Sequence, residues 1–503
     1  ARVVAGAKLA SGIGASVQIG LAGPEDAFRL KADAEVRNPA GGNLRFATTG
    51  TVNAQTRVAA LSSLQAIWKG EDLHLLGPAR IGFRDGLSLD HLRLGLRQGE
   101  IDANGRASPT LDLTLTMRNL PADLAAVFAP GVAADGVLRG DAHLTGTPTR
   151  PEGRIELAAA GLRLRSGPGR ALPAANLNAS AVVAGTSARI DARVTVGASA
   201  NLSVSGQLAT APSAPIDLQV GGALDLAMLD PLLTASGRRV TGKVALDARV
   251  GGTLPAPRIS GEARLADAGI QDFPLGVHIT NINGLVEASG TSIRLSSFQG
   301  RAGPGTLGIS GSVETSARGL PVNLEITARN ARLLASDLLT ATLDADMSLR
   351  GEAMGKLAVG GKIDVLHADI GIPKRMPVQV PVLAVRIAGE SPPPPPAPPP
   401  ALGLDLTVAA HQVVVRGRGL FAELAGSIKV GGSTAAPQPL GSFHMVRGNL
   451  AIAGQTLNFD KGEVGFNGGS MTDPSLDFVA TSTTNTMSAS LSITGTASNP
   501  KIT

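Results

Sequence analysis

Apolar and polar residues alternate with a period of two along most of the chain, the spacing that places one set of side chains on each face of a β-strand. Leu111, Leu113, Leu115 and Met117 alternate with Asp112, Thr114, Thr116 and Arg118, and Val322, Leu324, Ile326 and Ala328 alternate with Asn323, Glu325, Thr327 and Arg329. Val244, Leu246, Ala248 and Val250 stand against Ala245, Asp247 and Arg249, and Leu404, Leu406 and Val408 against Asp405 and Thr407. Each run has a dry face and a wet face. Gly, Pro, Asn and Ser punctuate the runs about every ten residues, as in antiparallel all-β structure. The expected fold is all-β: an elongated, repetitive, mainly antiparallel sheet curled into a groove with an apolar interior, with few short helices. Strands of about ten residues would number about 45, and stacked at about 4.8 Å they would extend roughly 200 Å.

A long internal repeat, with a unit of about a hundred residues, underlies this pattern. Each copy opens with a strand ending in a glycine turn at 103–105, 204–206 or 309–311, then an alternating strand from Leu111, Ile216 or Val322. A short apolar segment follows, at 120–124, 229–233 and 333–339, which reads as one or two helical turns at a crossover. Each copy continues with a glycine-rich turn and a further strand, as in Leu144-Thr145-Gly146-Thr147 before Ile155 and Val250-Gly251-Gly252-Thr253 before Pro257. Two more such turns occur at Val430-Gly431-Gly432-Ser433 and Ile493-Thr494-Gly495-Thr496. The expected divisions are an N-terminal β segment at 1–108, repeats at 109–214, 215–320 and 321–391, a polyproline spacer at 392–400 and a C-terminal β region at 401–503.

Composition narrows the chemistry. The 503 residues include 63 glycines and 33 prolines, one tryptophan, and neither cysteine nor tyrosine. There is therefore no disulfide frame, thiol nucleophile or thiolate metal site. Aromatic residues make up 2% of the chain, so any core is built from small and branched aliphatics. Basic residues exceed acidic ones by 45 to 40 but are scattered singly, and base-stacking aromatics are missing, which argues against nucleic acid as a partner. No run of about 18 apolar residues suits a membrane-spanning helix. With Ala1 first, no visible signal peptide, and a strand-like pattern still running at Pro500-Lys501-Ile502-Thr503, the chain reads as a piece of something longer.

An enzyme is not expected, and neither is a cofactor. The seven histidines are isolated from one another, and Asp344 and Asp346 on one strand face read as a solvated pair. Gly12-Ile13-Gly14 lacks a third glycine, and no Walker-type lysine follows a glycine loop. What remains is the dry face. A one-sided apolar sheet must be covered by another layer or curl on itself. Curling leaves a channel whose lining is expected to include Leu111, Leu113, Leu115, Ile216, Leu218, Val244, Leu246, Val322, Leu324, Ile326, Leu404, Leu406, Leu491 and Ile493. The same residues fit a packed core equally well, because alternation tells which side is dry and not whether it is full.

The segments Gly448–Gln455, Leu457–Phe466 and Asp473–Ala480, together with the turn-and-proline strand pairs, resemble the C-terminal region of the TamB family, within the AsmA-like group. The stretch from Trp68-Lys69-Gly70 through Leu87, Leu89, Leu92 and Leu94 has a similar character. The resemblance implies a periplasmic protein, anchored in the inner membrane at full length. Its implied work is to move phospholipid through a hydrophobic β groove between inner and outer membrane, in support of outer-membrane biogenesis and protein secretion. It also implies a TamA-like outer-membrane barrel as partner. Two other readings stand beside this one: a scaffold that assembles barrel or autotransporter strands by strand addition with TamA, and a β-helix adhesin or passenger.

Overall fold

The computed structural model describes residues 2–8, 14–38, 42–124, 134–165, 167–209, 214–253, 256–315, 319–373, 401–452, 454–483 and 488–503. The polyproline spacer at 392–400, the end of the repeat closing at 391, and Gly12-Ile13 lie outside them. The described residues are 78% strand and 4% helix. The described residues form thirty-one strands, fewer than ten-residue strands would give, because many run for 14 to 17 residues. They can do so because β-bulges absorb the irregular positions. One lies between Met117 and Leu120 and another between Ala328 and Ala331, where an extra residue is taken up and the pleat continues.

Two units divide the described chain, one of residues 1–232 and 245–261, the other of residues 233–244 and 262–503. In the first, each strand from Arg2–Lys8 to Asp217–Asp225 pairs antiparallel with its neighbour in sequence. One local exception occurs where Glu71–Leu75 and Ala79–Gly82 share the space between Val58–Trp68 and Ser88–Leu96. The second unit follows the same rule from Val277–Gly290 to Asn499–Ile502. A parallel pair joins Leu357–Gly371 to Gly403–Gly417. Antiparallel pairing between successive strands excludes a β-helix, whose coils stack in parallel.

Two of the three predicted helical crossovers form. Ala122–Leu124 is a single 3-10 turn, and Leu226–Leu229, Asp230–Leu233 and Thr234–Ser236 make a continuous helical connection. Asp225 caps the latter by accepting from the Ala227 N–H at 2.9 Å, and Gly237 ends it in the left-handed conformation. The third, at 333–339, is strand, turn and strand. Leu334 and Ala335 pair with Ala341 and Thr340, and Ser336 closes the turn by accepting from Leu339 N–H at 3.1 Å. Ladder hydrogen bonds there outweigh a weak local preference for helix.

Candidate functional site

Directly opposed residues on paired strands share a face, so the register can be followed across a sheet. In the first unit one such row runs Leu92, Ala103, Leu115, Ala142, Ile155, Ala181, Ile190, Gly206, Leu218. Nine strands contribute, and large and small residues alternate without a break. The row on the opposite face is Asn104, Thr114, His143, Arg154, Val182, Arg189, Gln207, Asp217, polar but for Val182. Side chains at every second strand, about 9.6 Å apart from the 4.8 Å strand spacing, leave shallow slots between them.

Glycine has a second task in these rows. Gly206 has φ 141°, and a Cβ there would lie 2.1 Å from the Asp217 carbonyl oxygen of the paired strand. Only glycine allows that close approach within a ladder, and such positions are where sheets bend.

The dry face is not filled. Leu92, Leu115, Ile155, Ile190 and Leu218 are all half-buried, whereas a packed core would enclose them. Most buried hydrophobic residues are alanines, and the larger ones are few: Leu61, Leu120, Val196, Ile216, Val414, Ile428, Val430 and Leu457.

Comparable rows cross the second unit. One links Val286, Leu295, Gly311, Leu324, Leu349, Val359 and Leu404, and the next links Phe298, Ile309, Ile326, Met347, Gly361, Leu406 and Val430. In one place the interior closes. The Ala335 N–H donates to the Gly276 carbonyl at 3.1 Å, joining the ends of two strands that have two others between them. Ala302, Ala328, Ala331 and Ala345 pack there against Ile279, Leu307, Leu333, Leu343, Met347 and Ile363, with Ala302 and Ala331 at 0% exposure. Alanine allows the tight curl that brings those strands together.

Of the fourteen residues expected to line a channel, thirteen are half-buried and Ile216 is buried, its N–H donating to the Gly252 carbonyl at 2.9 Å. The rows place Leu115 and Leu218 on one face six strands apart, and Leu324 and Leu404, like Ile326 and Leu406, on one face three strands apart. Leu113 lies opposite Leu144, Leu111 opposite Gly146, Val322 opposite Val313, Leu491 opposite Ala480, and Ile493 between Phe478 and Ile502. Val244 and Leu246 stand on Arg238–Thr253, one assigned to each unit. Sequence reasoning missed the small partners, Ala103, Ala142, Ala181 and Gly206. They carry no hydrophobic signal of their own and become visible only when register is walked from each tight turn.

Many polar groups hold strands together. Asp346 pairs with Arg329 at 2.6 Å and Asp344 accepts from the Asn330 N–H at 2.6 Å, so these two carboxylates serve a bulge and not a cation. Glu71 and Asp123 both bind Arg97, which raises its pKa, and Asp123 and Asp135 bind Arg165 at 3.1 and 2.6 Å. Among the described residues no group of three or more metal-ligating side chains could hold an ion. In the last strands Phe443 meets Phe466 edge-on at 6.3 Å and Phe459 meets Phe478 at 5.9 Å.

A layer of sheet with a half-open apolar face, and with charges that pair across neighbouring strands, has the makings of a binding or transfer scaffold. Residues 296–503 match the TamB C-terminal domain family, so the resemblance seen at 448–480 extends upstream to residue 296, within the second unit, while Trp68–Leu94 lies outside the match. TamB is a transport and assembly family of the cell envelope, and the match supports a role in outer-membrane biogenesis. No curated protein matches the chain.

Proposed function

We propose that the apolar faces of this protein hold the acyl chains of phospholipids, and that the full-length protein is a periplasmic bridge along which lipid passes between inner and outer membrane. The observation that carries this reading is the nine-strand row from Leu92 to Leu218, apolar throughout and only half-buried at its large positions. The fourteen residues from Leu111 to Ile493 are the proposed lining. Exposing an acyl chain to water costs about 0.8 kcal/mol per methylene, so a lipid with about 30 methylenes faces roughly 20 kcal/mol. An apolar face offered at every strand removes most of that penalty without a specific bond. Similar affinity at each step lets the lipid slide. The repeats at 109–214, 215–320 and 321–391 would then be successive lengths of the same lining.

Lipid extraction and native mass spectrometry of the purified protein test this directly. The expected result is phospholipid bound to the native protein, and vesicle-to-vesicle transfer that falls severalfold on Leu324→Arg or Leu115→Arg with the β signal of circular dichroism retained. A lipid-free protein that also fails to move labelled phospholipid between vesicles overturns the proposal. If Ser490 or Thr494, both outward-facing, instead crosslinks to unfolded barrel strands while no lipid is found, the assembly-scaffold reading with a TamA-like partner replaces it.

A further inference from the structure

The parallel pair of the second unit has a gap. Its ladder runs from Ala358 opposite Gly403 to Val365 opposite Ala410, then resumes at Ala368 opposite Val413. Leu366 and His367 on one strand, and His411 and Gln412 on the other, fall in the break. Parallel pairing is already the weaker kind per residue.

Side chains bridge the break. His367 places Nδ1 3.0 Å from Gln412 Oε1 and Nε2 2.7 Å from Asp369 Oδ2. Gln412 Nε2 donates to Glu423 Oε1 at 3.0 Å, Arg447 Nε donates to Glu423 Oε2 at 2.6 Å, and Arg416 donates to the other oxygen of Asp369. The relay crosses four strands and lies over Val414, one of the few large buried side chains.

The partners decide the protonation. An ionised carboxylate accepts only, so Gln412 must turn its NH2 toward Glu423 and its oxygen toward His367. Both ring nitrogens of His367 then face acceptors, and both must donate. We infer that His367 is held as an imidazolium that pins the parallel seam across the break in its ladder, so that closure of the seam depends on a proton.

Other charged and titratable groups lie on the same and neighbouring strands. Lys362 and Asp364 share its strand, Asp344 lies opposite Asp364, His411 and Arg416 are on the parallel partner, Glu423 is on the next strand, and His444 and Arg447 on the one beyond. The His367 hydrogen bond, with help from Arg416, holds the Asp369 carboxyl below its ordinary range, and Arg447 does the same for Glu423. Both acceptors are therefore anionic beside the ring. Removing the ring proton turns one lone pair toward an acceptor oxygen and breaks the bridge. The seam is closed on the acid side and loosened as pH rises.

Nitrogen-15 spectra of the histidine rings in the intact protein test this, together with amide exchange of 363–371 and 408–417 corrected for intrinsic rates. Both His367 nitrogens should be protonated at about pH 6, and exchange in these segments should quicken about tenfold once the ring titrates, with His367→Gln abolishing that pH dependence. A single neutral tautomer at about pH 6, or corrected exchange that ignores pH in the native protein, overturns the inference whatever the variant does.

Discussion

Alanine decides where these sheets are packed and where they stay open. Ala331 has no exposed surface and sits among Leu343, Leu333 and Ile279, whereas Ala181 occupies a row whose large neighbours are half-exposed. Enlarging both to leucine should separate the two environments. Ala331→Leu overpacks a closed site and should cost about 1–3 kcal/mol, while Ala181→Leu fills an open slot and should stay within about 0.5 kcal/mol. Local amide exchange on the neighbouring strands reads the difference, and equal losses would mean that the row in the first unit is as full as the cluster in the second. Glycine gives a parallel contrast. Gly206→Ala drives a Cβ into the Asp217 carbonyl, while a Cβ at Gly185 meets nothing within 4 Å and suffers only its φ of 66°. The first should disrupt pairing of 200–209 with 217–225, and the second should cost about 1 kcal/mol, the usual price of the left-handed conformation for a residue with a side chain. Limited proteolysis of the two variants at matched temperature distinguishes them.

At the scale of elements, the strands themselves were legible because their period of two is written in the residues. Leu111 to Met117 and Val322 to Ala328 form strands on the expected faces. Their length was not, since bulges at residues such as Asn119 and Asn330 carry a strand past a polar residue that reads as a break. The helical crossover at 333–339 failed for a related reason, because its partner strand 339–352 supplies ladder bonds that no local pattern reveals. Parallel pairing of 357–371 with 403–417 was equally invisible, being a contact between segments separated by the polyproline stretch. Charges tie neighbouring elements in ways that pH will expose. Asp217 receives two hydrogen bonds from Arg249 at 2.6 Å, and these hold its carboxyl below the ordinary range. A lowered folded-state pKa adds stability above the unfolded value of about 3.9 that disappears as pH falls through the folded value. Exchange of 217–220 should therefore be slower in the native protein than in Arg249→Gln at about pH 5, and the difference should close as the pH falls toward about 2. Amide exchange followed across that range checks it, and equal rates at every pH would show that the pair does not hold this edge of the strand.

At the scale of the molecule, binding lipid and conducting lipid make different demands on the same residues. A store holds molecules in parallel, so spoiling one position removes one molecule and leaves the rest of the capacity. A conduit works in series. In the first unit the row from Leu92 to Leu218 alternates large and small residues across all nine strands, so its slots recur at every second strand. A charge midway, as in Ile155→Lys, must be passed by every lipid that travels the face, and it reintroduces the transfer penalty over the few methylenes that cross it, about 0.8 kcal/mol each. Four or five such methylenes amount to roughly 3 to 4 kcal/mol, which slows passage by two to three powers of ten. The expected outcome is a collapse of vesicle-to-vesicle transfer with bound lipid, counted by native mass spectrometry, nearly unchanged. A proportional loss of both, with transfer per bound lipid preserved, would instead identify the face as a set of independent seats along which nothing slides.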